Sequence, residues 1–488
     1  MQLFTTTALR EHLLRRAGFG LTPAERDHYQ QGTYTEIVDE LVGFDPATTD
    51  VDHLMQQPGH VGVTARNGVF APNTVINDAR QRWLFRMVHT PAPLQEKMAL
   101  FWHHHFATAY SKLAGTYGTT EGARMMDAKP STDTAGVRGQ IELFRQLGMG
   151  RFRDLLVEIA KDPAMIVWLD GRTNVKRQPQ ENFGRELMEL FTFGIGHYTE
   201  ADVYAAARVF TGWNLVLQGT RDTPTSRYNF NYNASQHDTD AKTFTFVIYQ
   251  NGSKTIPARA AAGGMQDGID LIDALAHHPE TARRLARRLW TWFVSDVEAP
   301  DEGWVENIAG IYLSHDTEIR PVMRAIFLST HFRSASRYFS RYAWPVEYVV
   351  RAMKEVGYVG FSVNDTLTPM LNMGQQLFEP PDVNGWAIGP AWFSTGSMLA
   401  RMNFASTLVT NQRFELRNAS RASKATPEQL YAFVTSRLTL PSIPAPVRTA
   451  LLDYVRAGGT WTGSEAQLLS KTGGLFHLLV GSGEFQFV

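Results

Sequence analysis

The stretch "QENFGRELMELFTFGIGHYTEADVYAAARVFTGW", residues 180 to 213, gathers carboxylates, arginines and an asparagine around a Gly-rich turn. Asn182, Arg185, Glu186 and Glu189 fall at i, i+3, i+4 and i+7, which stacks them on one face of a helix. Phe183, Leu187 and Leu190 form the opposing apolar stripe. A carboxyl kept protonated beside one kept ionised can perform acid–base hydrolysis, and glycosidases hold the two about 5–5.5 Å or about 6.5–9.5 Å apart. Glu186 with Glu189, or Glu186 with Asp238 from across the fold, would supply such a pair. The competing reading is a solvated face in which Arg185 pairs with Glu181 and Glu189, each pair contributing a few tenths of a kcal/mol.

Three other stretches carry titratable groups. "FWHHHFAT" places His103, His104 and His105 in succession, and about 100° of rotation per residue prevents all three from facing one ion. Helical metal ligands are spaced at i, i+3 or i, i+4, so structural hydrogen bonding among Phe101, Trp102 and Phe106 competes with a ligand role. "ASQHDTDAKTF" sets His237 beside Asp238 and Asp240, with Lys242 nearby, on a loop where catalytic or merely turn-forming roles are both common. "AHHPETARRLARRLWTWFV" aligns Arg283, Arg284, Arg287 and Arg288 as two i, i+4 pairs, which reads as a solvated or salt-bridged face. The candidate catalytic residues are therefore Glu186, Glu189, His237 and Asp238. Asn182, Arg185, His104, Trp213 and Trp386 are the candidate substrate contacts, the two tryptophans as walls for sugar rings.

The elements that must position these groups are helices. In "LTPAERDHYQ", Thr22 caps, Pro23 suits the first turn and Glu25 completes a capping box. Amphipathic periodicity predicts helices at 78–90, 93–108, 137–161, 182–194, 200–213, 266–277, 279–294, 303–314 and 319–329. Others follow near 345–356, 396–411, 427–438, 445–456 and 464–481. A small β insert interrupts them at 215–260, where "RYNFNYN" alternates and Asn251-Gly252 separates two extended runs as a hairpin turn would. "FEPPDVNGWAIGPAWF" (378–393) is an irregular loop whose tryptophans require it to pack onto something. The expected fold is all-α with that hairpin insert. Its regions run over 1–130, 131–340 and 341–488, as lobes or one continuous domain.

With 47 basic and 48 acidic residues the net charge is -1, which disfavours nucleic acid and anionic membranes as partners. Zero cysteine removes disulfides and thiol chemistry together. The N-terminus lacks an apolar h-region, and no stretch approaches the roughly 20 apolar residues of a membrane span. The chain as given is expected in the cytoplasm; export with a partner or after leader removal is the alternative.

Several pieces together resemble the bacterial family catalogued as domain of unknown function 1800: "HLLRRAGFGLTPAE", "FWHHHFAT", "ENFGRELMELFTFGIGHYTEADVYAAARVFTGW", "HDTDAKTF", "GGMQDGIDLIDALAHHPETARRLARRLWTWFVSD", "PPDVNGW" and "LARMNFA". The resemblance spans most of the chain. It carries no catalytic assignment. It implies a partner similar to alkaline phosphatases and sulfatases and a polysaccharide-related setting, and its members are often exported. Three functions are weighed: a hydrolase acting on a glycan or other small molecule, a metal- or haem-dependent enzyme using the 103–105 histidines, and a non-catalytic partner of the phosphatase/sulfatase-like protein.

Overall fold

Thr22 accepts from the Glu25 N–H at 3.2 Å while the Glu25 carboxylate accepts from the Thr22 N–H at 2.7 Å, so the Pro23–Tyr29 helix starts where its capping box dictates. The same device at Thr199 and Asp202 opens Glu200–Val209. The computed structural model describes residues 6–65, 68–221 and 223–488, and among these it contains 22 α-helices and two small two-stranded sheets. The fold is mainly α with a small β insert. Buried apolar side chains from Leu13 to Val488 form one continuous cluster, shared by all three regions of the chain. No helix among the described residues is long and apolar enough to cross a membrane.

Departures from the periodic pattern have local causes. The run at 137–161 divides into Gln140–Leu147 and Phe152–Lys161, because Gly148 lies tight against Phe144 and Trp102 and the chain turns there. The run at 200–213 ends at Val209, and Trp213 instead opens the strand Trp213–Gln218, paired antiparallel with Arg227–Tyr232. Around Asn251-Gly252 the ladder is shorter than the sequence predicts, with only Lys242–Thr243 against Thr255–Ile256. The alternation there serves another purpose. Phe244, Phe246 and Ile248 are buried while Thr243, Thr245 and Val247 are exposed, and Thr245 binds the Asp202 carboxylate through both its N–H (2.7 Å) and its hydroxyl (2.6 Å). The segment is clamped onto a helix rather than onto another strand.

The core also holds charge, and most of it is compensated. Arg82 pairs with Asp127 at 2.6 Å, Arg86 with Asp52 and Glu142 at 2.6 Å each, and Arg145 with Glu96 at 2.8 Å. Lys97 and Arg341 share Glu347. An unpaired charge at such depth costs several kcal/mol, so these pairs are a condition of folding this sequence.

Candidate functional site

A cavity of about 450 Å³ opens beside the Pro93–His105 and Pro279–Phe293 helices. The first helix contributes Phe101 and His104, which share a face at i, i+3. The second contributes Glu280, Arg284, Arg288, Thr291 and Trp292 along one side, with Arg287 at the edge. Phe193, Gly194, Ile195 and His197 enter from the turn after residue 191, and Asp296 from just beyond the arginine-rich helix. Arg341 and Trp344 lead into the Pro345–Val356 helix, and Ile388 comes from the 378–393 loop. Trp292 and Trp344 meet edge to face at 4.5 Å, and the His104 ring lies nearly parallel to Trp292 at 5.8 Å.

His104 is held in one tautomer. The Trp386 N–H donates to its Nδ1 at 3.2 Å, so the ring proton of a neutral imidazole sits on Nε2. Nε2 has no hydrogen-bond partner among the described residues, although the side chain is only 2% exposed. Burial and the nearby Arg288 charge push its pKa well below the usual histidine value, which keeps the ring neutral. Gly385 makes this contact possible: its φ is +87°, and a Cβ there would collide with Nδ1 and the carbonyl oxygen of His104.

The four arginines of the Pro279–Phe293 helix divide by partner. Arg283 pairs with Glu280 at 2.6 Å and Glu306 at 2.7 Å, and Arg287 with Glu302 at 2.7 Å. Those two match the salt-bridged face expected from sequence. Arg284 and Arg288 turn to the cavity instead. Arg284 donates to the Leu190 carbonyl at 3.3 Å and leaves its Nε buried without a partner; Arg288 makes no hydrogen bond or ion pair among the described residues. Burial and Arg284 lower the Arg288 guanidinium to about 10. Across the cavity, burial raises the Asp296 carboxyl to about 6, even with Arg341 nearby and the Tyr342 N–H donating to it at 3.3 Å.

The turn that carries Phe193 to His197 is shaped by a π-helical segment, Leu187–Phe191, which follows the short α-helix Asn182–Glu186. Its wider turn leaves terminal carbonyls to be satisfied from outside, and they are: Leu190 accepts from Arg284, and Phe191 is 3.1 Å from Nε2 of His105. The Gly194 N–H reaches back to the Met188 carbonyl at 2.9 Å.

A profile of the family described as "Protein of unknown function (DUF1800)" matches residues 12–487. The chain belongs to the DUF1800 family. No curated protein and no solved structure matches it.

In this DUF1800 chain the residues singled out from sequence do not assemble in one place. Of the candidate catalytic and substrate-contact residues, only His104 lines the cavity. Trp386 stands behind it, 4% exposed and 5.1 Å from the His103 ring, and fixes His104 through its backbone. Glu189 accepts from the Tyr198 hydroxyl and reaches the site only through its charge, which acts on Arg284. Glu186 is half-buried and accepts no hydrogen bond among the described residues; burial, then Glu189, raises its pKa. Asn182 is exposed, 3.3 Å from Asp170. Arg185 pairs with Glu181 at 3.2 Å and with Glu200 at 2.7 Å, in place of the Glu189 expected from spacing. The π segment, Leu187–Phe191, breaks the i, i+4 register on which the Arg185–Glu189 pair rested.

His237 is fully buried. Its Nδ1 lies 2.9 Å from the Thr211 carbonyl and its Nε2 3.3 Å from Asp267, a carboxylate also bound by Lys242 and Arg259 at 2.6 Å each. Asp238 pairs with Arg208 at 2.7 Å. Trp213 packs on Gly268, Phe210 and Phe230. These groups fasten the β insert to the Glu200–Val209 and Met265–Ala276 helices. The three consecutive histidines diverge as helical rotation requires: His103 sits among Trp83, Phe378 and Trp386, His104 faces the cavity, and His105 meets Phe191. Among the described residues no three His, Asp or Glu side chains are grouped to hold a metal ion. Asp296 has no place in the sequence-based expectation, and Arg284 and Arg288 face the cavity where a solvated face is expected. Their signal was present in the "ARRLARRLWTWFVSD" run, where overall neutrality favoured a solvated face.

Proposed function

We propose that this DUF1800 protein is a hydrolase of carbohydrate-type substrates, working in the cavity lined by Trp292 and Trp344 with Asp296 as its proton-transfer group. The observation that carries this is a half-buried carboxyl, raised to about 6, on the wall of an aromatic, ligand-sized cavity. A carboxyl titrating there is populated in both forms near neutrality, as acid–base work requires. Trp292 and Trp344, both buried, build the apolar wall of the cavity, and the buried Nε2–H of His104 beside them is a donor of fixed orientation with no partner among the described residues.

In this reading Asp296 gives its proton to the leaving oxygen as the glycosidic C–O bond breaks. The attacking water forms the new C–O bond, and its proton returns to the Asp296 carboxylate, which restores the acid for the next turnover. The test is a panel of chromogenic glycosides with the full chain. Turnover is expected, with an acid or base limb near pH 6 that D296N abolishes. No turnover across the panel, or an Asp296→Asn protein as active as the parent, overturns the reading.

A further inference from the structure

We propose that the cavity selects ligands bearing an oxyanion (sulfate, phosphate or carboxylate), clamped by Arg284 and Arg288 with the His104 Nε2–H as a third donor. The proposal deepens the hydrolase reading by naming the substrate class and rests on the same cavity. It begins with an imbalance. Elsewhere the buried cations are satisfied: Arg82, Arg86, Arg145, Lys97 and Arg341 are each ion-paired, and Arg16 and Arg401 donate to backbone carbonyls at 2.9 and 2.8 Å. Among the described residues, half-buried Arg288 has no partner at all and half-buried Arg284 only the Leu190 carbonyl at 3.3 Å. The two lie one helical turn apart on the cavity wall, with no carboxylate of the described residues within ion-pair distance.

Like charges at i, i+4 repel, and burial amplifies the repulsion. The protein retains them next to a buried donor that has no partner, His104 Nε2. Arginine's planar fork presents parallel N–H groups that match two oxygens of a carboxylate, phosphate or sulfate. The carboxylates facing the same space are otherwise engaged: Glu280 with Arg283, and Asp296 with the Tyr342 N–H. Glu189 touches Arg284 only through its field. An entering oxyanion would therefore complete the charge balance that the chain leaves open.

The experiment is calorimetric titration and thermal melting of the full chain with sodium sulfate, sodium phosphate and sodium glucuronate, using sodium chloride at matched ionic strength as the control. Saturable binding and a raised melting temperature are expected with at least one oxyanion and not with chloride, and the arms identify which oxyanion is preferred. Arg288→Gln should weaken that binding roughly 10- to 100-fold, the equivalent of one charge-assisted hydrogen bond. It should also melt no lower than the parent without ligand, since it removes an unpaired charge. Arg288→Lys, which keeps the charge and loses the fork, should bind with intermediate affinity.

No saturable binding, or R288Q binding like the parent, overturns the proposal. So does an R288Q protein that melts well below the parent without ligand, because that would make Arg288 a structural residue. D296N separates the two readings: it should retain oxyanion binding while losing hydrolysis. Binding without any hydrolysis sinks only the hydrolase reading. Hydrolysis that is indifferent to R288Q sinks only the oxyanion clamp.

Discussion

The Trp386 N–H donates to Nδ1 of His104 across 282 positions of sequence, at 3.2 Å, and so decides which ring nitrogen carries the proton inside the cavity. A largely irregular loop, with one 3-10 turn at Gly389–Trp392, thereby sets the chemistry of a helical side chain. The Gly385 φ of +87° and the absence of a Cβ are what let the loop approach.

Gly385→Ala should consequently cost about 1–3 kcal/mol of stability, from backbone strain and the collision with His104. Urea unfolding measures the loss. At temperatures where the variant is folded, a weakened cavity ligand is also expected, because His104 must rotate or shift. Parent-like stability would show that the loop can relax without strain.

Asp296 gives a signed pH effect. Its folded-state pKa is raised from 3.8 to about 6, so protonation is easier in the fold than in the unfolded chain. The stability it contributes is complete below about pH 3.8 and is lost as pH rises through about 6. Asp296→Asn should therefore stabilise the protein above pH 6, on the order of 1–2 kcal/mol after solvent screening, and have little effect below pH 4. Melting curves of both proteins from pH 4 to 8 test this, and a gap that does not change with pH would contradict it.

The buried carboxylate of Asp267 serves Lys242, Arg259 and His237 together. Asp267→Asn leaves Lys242 fully buried without its closest counter-charge and should cost about 3–5 kcal/mol. Oxyanion affinity of the surviving folded fraction should remain at the parent level, since none of these groups lines the cavity. Denaturant titration and calorimetry on the same preparation check both halves.

Glu186 offers the contrast. Its pKa is raised by burial and by Glu189, and it accepts no hydrogen bond among the described residues, so its charge opposes folding at neutral pH. Glu186→Gln should leave stability at pH 7 unchanged or raise it by up to about 1 kcal/mol. The effect should vanish below the ordinary carboxylate pKa of 4.5. Turnover should be unchanged. A folded E186Q protein without activity would return the chemistry to the 182–189 stripe.

Much of the architecture is written locally. Capping boxes at Thr22 and Thr199, prolines at first turns and periods of 3.6 fix where helices begin and which faces are apolar, because those interactions involve residues within a turn of each other. The alternation of Phe244, Phe246 and Ile248 likewise announces an extended segment with one buried side. What covers that side is nonlocal, and a helix took the place of the expected strand.

The sequence by itself determined a mainly helical chain with a small β insert and membership of its family, since periodicity, capping and motif order are properties of neighbouring residues. Only the tertiary structure decided which charges do what. Arg283, Arg284, Arg287 and Arg288 are equivalent by spacing. Glu302 and Glu306, supplied by the next helix, neutralise Arg287 and Arg283, while no carboxylate within ion-pair distance meets Arg284 or Arg288 among the described residues. Compensation of a charge depends on what lies within a few ångströms in space, and that distance has no counterpart along the chain.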